Sequence, residues 1–336
     1  MKWVGSIRFS CVLLAALTVA VISTRQAQAQ QNWQATVGAQ SNDKAHQALA
    51  FLPNELWIHA GDTITWTAKA DDIHTVTFLT ATQVIPSFQA GCPGYSPNDS
   101  PFDGSACVST PPLAKGQTFA ISFPKAGNYK VECLVHTAMT GTIHVLDPSA
   151  TLPHDQDFYD DQAAVQTKLL FSESGVGMRM SHDDEDSVRV YSHQKHVIAG
   201  GGELLATTGG TQIGSTVRFL HGTIQIHEGD TVEWSNLDPQ EPHTITFGTE
   251  PANPFPPSPN VTVDADGARH ATINFVGDSV HSGFIDATPQ DVTGVSPENP
   301  LHVTRFRVTF KEEGTFPYIC ALHDNLGMVG KVIVLP

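Results

Sequence analysis

Positive charge is scarce in this 336-residue chain. Its 18 Lys and Arg stand against 34 Asp and Glu, a formal net charge of −16. Nucleic-acid binders neutralise phosphates with Lys and Arg, so the balance argues against such a partner. An acidic surface favours encounter with basic proteins, or serves solubility alone. Long apolar runs are also scarce. One lies at the N-terminus, Cys11 to Ile22, behind Lys2 and Arg8 and ahead of Ala27-Gln-Ala29. It is too short to cross a bilayer comfortably and has the order of a secretory leader with an A-x-A cleavage site. Residues 1–29 are therefore expected to leave as a signal peptide. The mature chain would begin near Gln30 with no membrane span, in a periplasm or outside the cell. The leader carries Lys2, Arg8 and Arg25 and no acid, so 15 bases would remain against 34 acids, a net charge of −19. Helical periodicity is scarce too; the best stretch is Asp157 to Leu170.

What the chain has instead is an internal repeat. Phe51 to Trp66 matches Phe219 to Trp234 at an offset of 168, and Phe119 to Tyr129 matches Phe306 to Phe316 at an offset of 187. The second copy thus carries an insertion of 18 residues after its first histidine, and the Pro-rich stretch around Pro251 to Pro259 is the expected place for part of it. Ile58, Ile64 and Trp66, and then Phe119, Ile121 and Phe123, keep a period near two, which is the pattern of strands. Gly61-Asp62 and Gly229-Asp230 are turn dipeptides, read as hairpin-like. Short strands with regular turn signals predict an all-β sandwich in each copy.

Each copy ends in a ligand-bearing loop. Cys133-Leu-Val-His136-Thr-Ala-Met139 occurs in the first and Cys320-Ala-Leu-His323-Asp-Asn-Leu-Gly-Met328 in the second, with His74 and His243 upstream. A lone Cys-x-x-His is a weak signal, because buried cysteine is commonly a small hydrophobe. Four donors recurring in one order, inside two copies of a repeat, are a strong one. Thiolate, two imidazoles and a thioether form a soft set suited to copper with a trigonal His2Cys plane and a long axial Met. Structural zinc sites more often use Cys/His tetrads without methionine.

On these residues the chain resembles the cupredoxin family of blue copper proteins, over about residues 45 to 147 and 215 to 336. The resemblance implies two tandem Greek-key β-sandwich domains, 30–148 and 196–336, joined by a polar, partly helical linker, 149–195. It implies two type 1 copper centres. His74, Cys133, His136 and Met139 would hold one, on a loop like that of amicyanin. His243, Cys320, His323 and Met328 would hold the other, on a loop like that of plastocyanin or pseudoazurin. Thr75 and Thr244 stand where plastocyanin has Asn. The implied function is outer-sphere electron transfer with a redox partner protein such as a basic cytochrome. His136 and His323 would lie near the surface as the exchange edges. Copper sequestration or delivery is the alternative from a different class. Two-domain relatives also include nitrite reductases and laccases. Their motifs place a histidine before the blue-copper cysteine, and laccases add paired His-x-His. Here Glu132 and Ile319 precede the cysteines and no His-x-His occurs, so the reading leans away from an enzyme. An interdomain copper without a recognised signature stays open as a third reading.

With Cys133 and Cys320 assigned and Cys11 in the leader, Cys92 and Cys107 remain of the five cysteines. They flank a Pro/Gly/Ser-rich loop and are expected to form a disulfide in an oxidising compartment, the alternatives being free thiols or a separate metal site. Of the other histidines, His59 and His227 occupy equivalent positions and are expected on the exposed face of their strands. His182, His193 and His196 sit in or beside the acidic linker, which reads as solvated or as a collector of Cu(II). The redox partner, the potentials and the oligomeric state stay open.

Overall fold

This is a computed structural model, in which residue 1 and residues 30–88, 90–173, 194–286 and 303–336 are described. The expected signal peptide, His182 and His193 lie outside the described residues. The first half contains β1 (Asn32–Gln40), β2 (His46–Leu52), β3 (Glu55–His59), β4 (Thr63–Ala68), β5 (Thr77–Phe78), β6 (Ser100–Pro101), β7 (Val108–Ser109), β8 (Thr118–Ser122), β9 (Gly127–Glu132) and β10 (Thr140–Leu146). A helix, α1 (Gln156–Glu173), follows. The second half contains β11 (Gln194–Ala206), β12 (Thr211–Leu220), β13 (Thr223–His227), β14 (Thr231–Leu237), β15 (Thr246–Phe247), β16 (Thr262–Val263), β17 (Arg269–Ile273), β18 (Val280–His281), β19 (Arg305–Phe310), β20 (Gly314–Ile319) and β21 (Val329–Leu335).

The expected all-β sandwich is present twice. In β4, Ile64, Trp66 and Ala68 point inward while Thr63, Thr65 and Thr67 stay half-exposed. That alternation buries one face of a pleated strand. Trp66, Phe78 and Phe123 meet in the first core, and Trp234, Phe247, Phe310 and Tyr318 in the second. One five-stranded sheet in each half runs β3-β10-β9-β5-β7 and β13-β21-β20-β15-β18.

The other two sheets are one. β2 pairs antiparallel with β12, from Ile213 opposite Leu49 to Thr216 opposite His46. This joins both halves in an eleven-stranded sheet among the described residues. All of β2 except His46 is buried. Leu49 and Phe51 face the first core, and Ala48, Ala50 and Leu52 pack on Leu170 of α1. The helix is therefore docked, and its buried Tyr159 takes the Trp57 N–H on its hydroxyl at 2.9 Å.

Two expectations are corrected. Gly61-Asp62 does not close a hairpin, because β3 and β4 lie in different sheets. The turn crosses the sandwich, and Asp62 holds it by accepting from the His59 and Gln31 backbones and from the Trp33 indole, each at 2.9 Å. His59 is not exposed. The turn after β10 folds over it, and its Nε2 lies 2.9 Å from the Ala150 carbonyl, leaving 5% of the residue exposed. His227 does remain exposed. His196 is partly covered, with Nε2 2.9 Å from Ser235 Oγ. Of the insertion, a small part falls before Ile285, on the side that holds Pro251 to Pro259, in keeping with the part expected there. His74 bridges Leu113 and His243 bridges Ile285, so most of the added length falls between Ile285 and β19.

Cys92 and Cys107 are bonded, with Cα atoms 5.5 Å apart, and close a loop of sequence separation 15. Replacing both by Ala is expected to lower the unfolding free energy by about 3 kcal/mol, through added freedom of the unfolded chain. Denaturant unfolding checks this, and an unchanged midpoint with an unchanged slope contradicts it.

Candidate metal centres

Each half builds a centre at one end of its sandwich. His74 sits in the bridge to Leu113 just before β5. Cys133 follows β9, and His136 and Met139 lie on the turn into β10. That turn closes on itself, with Cys133 N donating to Met139 O at 3.0 Å and Met139 N to His136 O at 2.8 Å. The second loop is longer by two residues. It takes them up in a 3-10 turn, Asp324–Leu326, ended by Gly327 at φ 93°. A left-handed residue there suits glycine. The same closure follows, from Cys320 N to Met328 O and from Met328 N to His323 O, both at 3.0 Å.

The donor atoms converge. In the first centre His74 Nδ1 and His136 Nδ1 are 3.2 Å apart, and Cys133 Sγ is 3.9 Å from His136 Nδ1. In the second, His243 Nδ1 and His323 Nδ1 are 3.1 Å apart, and Cys320 Sγ is 3.5 Å from His323 Nδ1 and 3.9 Å from His243 Nδ1. All six residues are buried, as are Met139 and Met328. Such separations suit donors about 2.0–2.3 Å from one shared ion. The donor chemistry suits copper, since a thiolate and two imidazoles in a dry pocket select a soft or borderline metal. Thr75 N and Thr244 N donate to the sulfurs at 3.4 and 3.3 Å, with each threonine hydroxyl at 3.9 Å. Burial pushes the Cys133 thiol up, but hydrogen bonds from His136 and His74 outweigh it and hold the thiol well below its ordinary value. Cys320 is likewise lowered against its burial, by the charge of His323 first.

Glycine stands behind each first histidine. A Cβ on Gly38 would overlap the His74 ring at Nε2, and one on Gly200 would overlap the His243 ring. Both glycines have positive φ, 66° and 77°. Neither was singled out from sequence, although both lie in strands that pair with the repeat.

The outer edges of His136 and His323 do not face solvent, which corrects their expected place near the surface. They are 2% and 5% exposed and turn toward each other across the contact between the two halves. Glu241 lies between them. Its Oε1 is 2.9 Å from His136 Nε2 and its Oε2 is 3.4 Å from His323 Nε2. Asp72 Oδ2 is 3.5 Å from His136 Nε2. Asp72 and Glu241 were missed from sequence, although they hold the same repeat position, two residues before His74 and His243. Burial first, then the charge of Glu241, raises Asp72 to about 6. Burial would raise Glu241 as well, but the charges of His136 and His323 outweigh it and hold the group well below the usual range. A cavity of about 530 Å³ opens beside both imidazole edges, lined among others by Ile73, Phe88, Pro242 and Phe284.

The second half also grips the first ligand loop. Ala138 N donates to Gln240 Oε1 at 2.9 Å, and the Thr211 hydroxyl donates to Ala138 O. The turn carrying Gln240 and Glu241 is fixed by Asp238 Oδ1, which accepts from both of their N–H groups at 2.9 and 2.8 Å.

A family model described as copper binding proteins, plastocyanin/azurin family, matches residues 38–146 and 205–335, more than half of the chain. Solved structures similar to the chain include a reduced amicyanin with a proline-to-phenylalanine mutation. It is 21% identical over 34% of this chain and 82% of that chain, with a TM-score of 0.24. An oxidized amicyanin with a methionine-to-leucine mutation is 20% identical over 34% of this chain and 81% of that chain, also with a TM-score of 0.24. Among the described residues no helix is long and apolar enough to cross a membrane.

Proposed function

The chain belongs to the plastocyanin/azurin family of copper-binding proteins, and from that premise we propose that it carries two type 1 copper centres and serves outer-sphere electron transfer outside the cytoplasm. The observation that carries this reading is the double cluster. Two buried Cys/His/His sets, each with a buried methionine on the same loop, stand in equivalent places of the two halves. His74, Cys133, His136 and Met139 would hold one ion, and His243, Cys320, His323 and Met328 the other. Bound copper would supply a one-electron couple at each centre.

The residues of the chain supply the rest. Burial keeps water from the sulfurs. The closed ligand loops and the glycines behind His74 and His243 hold the imidazoles in place, so few groups need to move when charge changes. Thr75 and Thr244 place an N–H on each thiolate, which stabilises its negative charge. A redox protein that approaches must reach imidazole edges that lie between the two halves, and the cavity beside His136 and His323 is the opening toward them. Burial of all the ligands favours a carrier over easy release of the metal to a delivery partner.

The copper-loaded protein is expected to exchange electrons rapidly with a small basic redox protein. Rising salt should slow that exchange, because the partner would be guided by the acidic surface. It is expected to reduce neither nitrite nor oxygen at enzymatic turnover, because Glu132 and Ile319 occupy the positions where a bridging histidine would be needed. Steady-state assays with an excess electron donor check both points. Sustained nitrite or oxygen reduction contradicts the carrier reading.

A further inference from the structure

The two centres are tied together by one side chain. We propose that Glu241 is a positioning residue for both centres at once, its carboxylate taking the outer N–H of His136 on Oε1 and that of His323 on Oε2. The inference rests on the two-centre reading above and goes beyond it, because that reading treats the halves as independent.

An imidazole that offers its Nδ1 lone pair to a metal must carry its proton on Nε2. A carboxylate at Nε2 selects that tautomer, fixes the ring and makes the ligand more basic. His136 Nε2 and His323 Nε2 come from different halves of the chain, and both reach Glu241, at 2.9 and 3.4 Å. The carboxylate itself requires these donors. It is only 2% exposed, and among the described residues Oε1 has no partner besides the edge of His136. A buried charge left in that state is costly, so a proton fixed on each Nε2 stabilises it. The carboxylate is also held in place. Asp238 fixes the turn beneath it, the Asn236 amide donates to its backbone carbonyl at 2.7 Å, and neighbouring Gln240 takes the N–H of Ala138 on the first ligand loop. The shared sheet through β2 and β12 keeps the halves in register around it.

Cysteine variants isolate the centres for the test. Cys320→Ser leaves the first alone and Cys133→Ser the second. In each background Glu241→Gln is expected to weaken Cu(I) binding at the surviving centre by about 10–100-fold, the usual cost of losing such a partner, as read by chelator competition. The copper hyperfine pattern of the surviving centre should shift as well. Glu241→Asp, which keeps the charge, should restore part of the affinity in both backgrounds. A purely structural role would unfold the chain without giving that rescue, and thermal unfolding of each variant separates the cases. A response at one centre only, or at neither, overturns the proposal. So does a third metal ion per chain that disappears with Glu241→Gln, since Glu241 would then be a ligand with Asp72 and His323. Cysteine variants that hold no copper at all would remove the two-centre reading itself, and this proposal with it.

Discussion

Cys133→Ser is expected to abolish one copper centre and leave the other intact, and Cys320→Ser is expected to do the reverse. Each thiolate is the one sulfur anion of its cluster, and each is fully buried among its own imidazoles. A serine hydroxyl cannot replace it, because its proton is held far more strongly and oxygen is a harder donor. The two clusters occupy separate cores, one with Trp66 and Phe78 and the other with Trp234 and Phe247. Folding of either half should therefore survive loss of the other metal. Copper content per chain should fall by half in each variant, with half of the thiolate-to-copper absorption lost. In the double variant both should vanish. Unchanged copper and absorption in Cys133→Ser would remove the first half from the account.

Gly200→Ala is the second change with a large expected effect. The position has φ 77°, where an L-residue with a side chain is strained by about 1–3 kcal/mol. The added methyl would also overlap the His243 ring at Nε2. His243 is fully buried, and its backbone is fixed by paired hydrogen bonds with Ile285 at 2.9 and 2.8 Å, so the ring has no free direction in which to retreat. The second centre should lose its metal while the first keeps it. Gly201→Ala is the control, because a Cβ there meets nothing within 4 Å. It should leave both centres filled. Retention of both centres in Gly200→Ala, by metal content and visible spectrum, would show that the ring is not braced by this glycine.

Much of the fold was legible because the two halves repeat. Trp66 and Trp234, with their alternating neighbours, identify inward strand faces, and the recurrence of Cys, His and Met on one loop points to a metal. Local pattern could not place strands relative to one another. The turn at Gly61-Asp62 has the composition of a hairpin, yet it joins different sheets, because pairing partners are chosen by the sandwich and not by the turn. His59 alternates away from Ile58, as expected, but the chain after Leu146 returns to cover it. The run Ala48-Leu-Ala-Phe-Leu52 lacks alternation, which is the mark of a strand covered on both faces. What covers it, α1 on one side and the first core on the other, with β12 along its edge, follows only from tertiary structure. The inward turn of His136 and His323 was hidden for the same reason. Their surface position was carried over from a single-domain pattern, whereas here a second domain closes over that surface. Asp72 and Glu241 were not singled out, although they stand as matching acids two residues before matching histidines. Sequence alone gives such a pair no spatial partner.

One chain is expected to hold two copper ions, each on a Cys/His/His set. The most direct measurement is metal analysis of the purified mature protein together with its visible and electron paramagnetic resonance spectra. The account expects two coppers per chain, both with the intense absorption and narrow hyperfine splitting of a copper thiolate. A single copper per chain, or zinc in these sites with no thiolate-to-copper band on adding Cu(II), would contradict it.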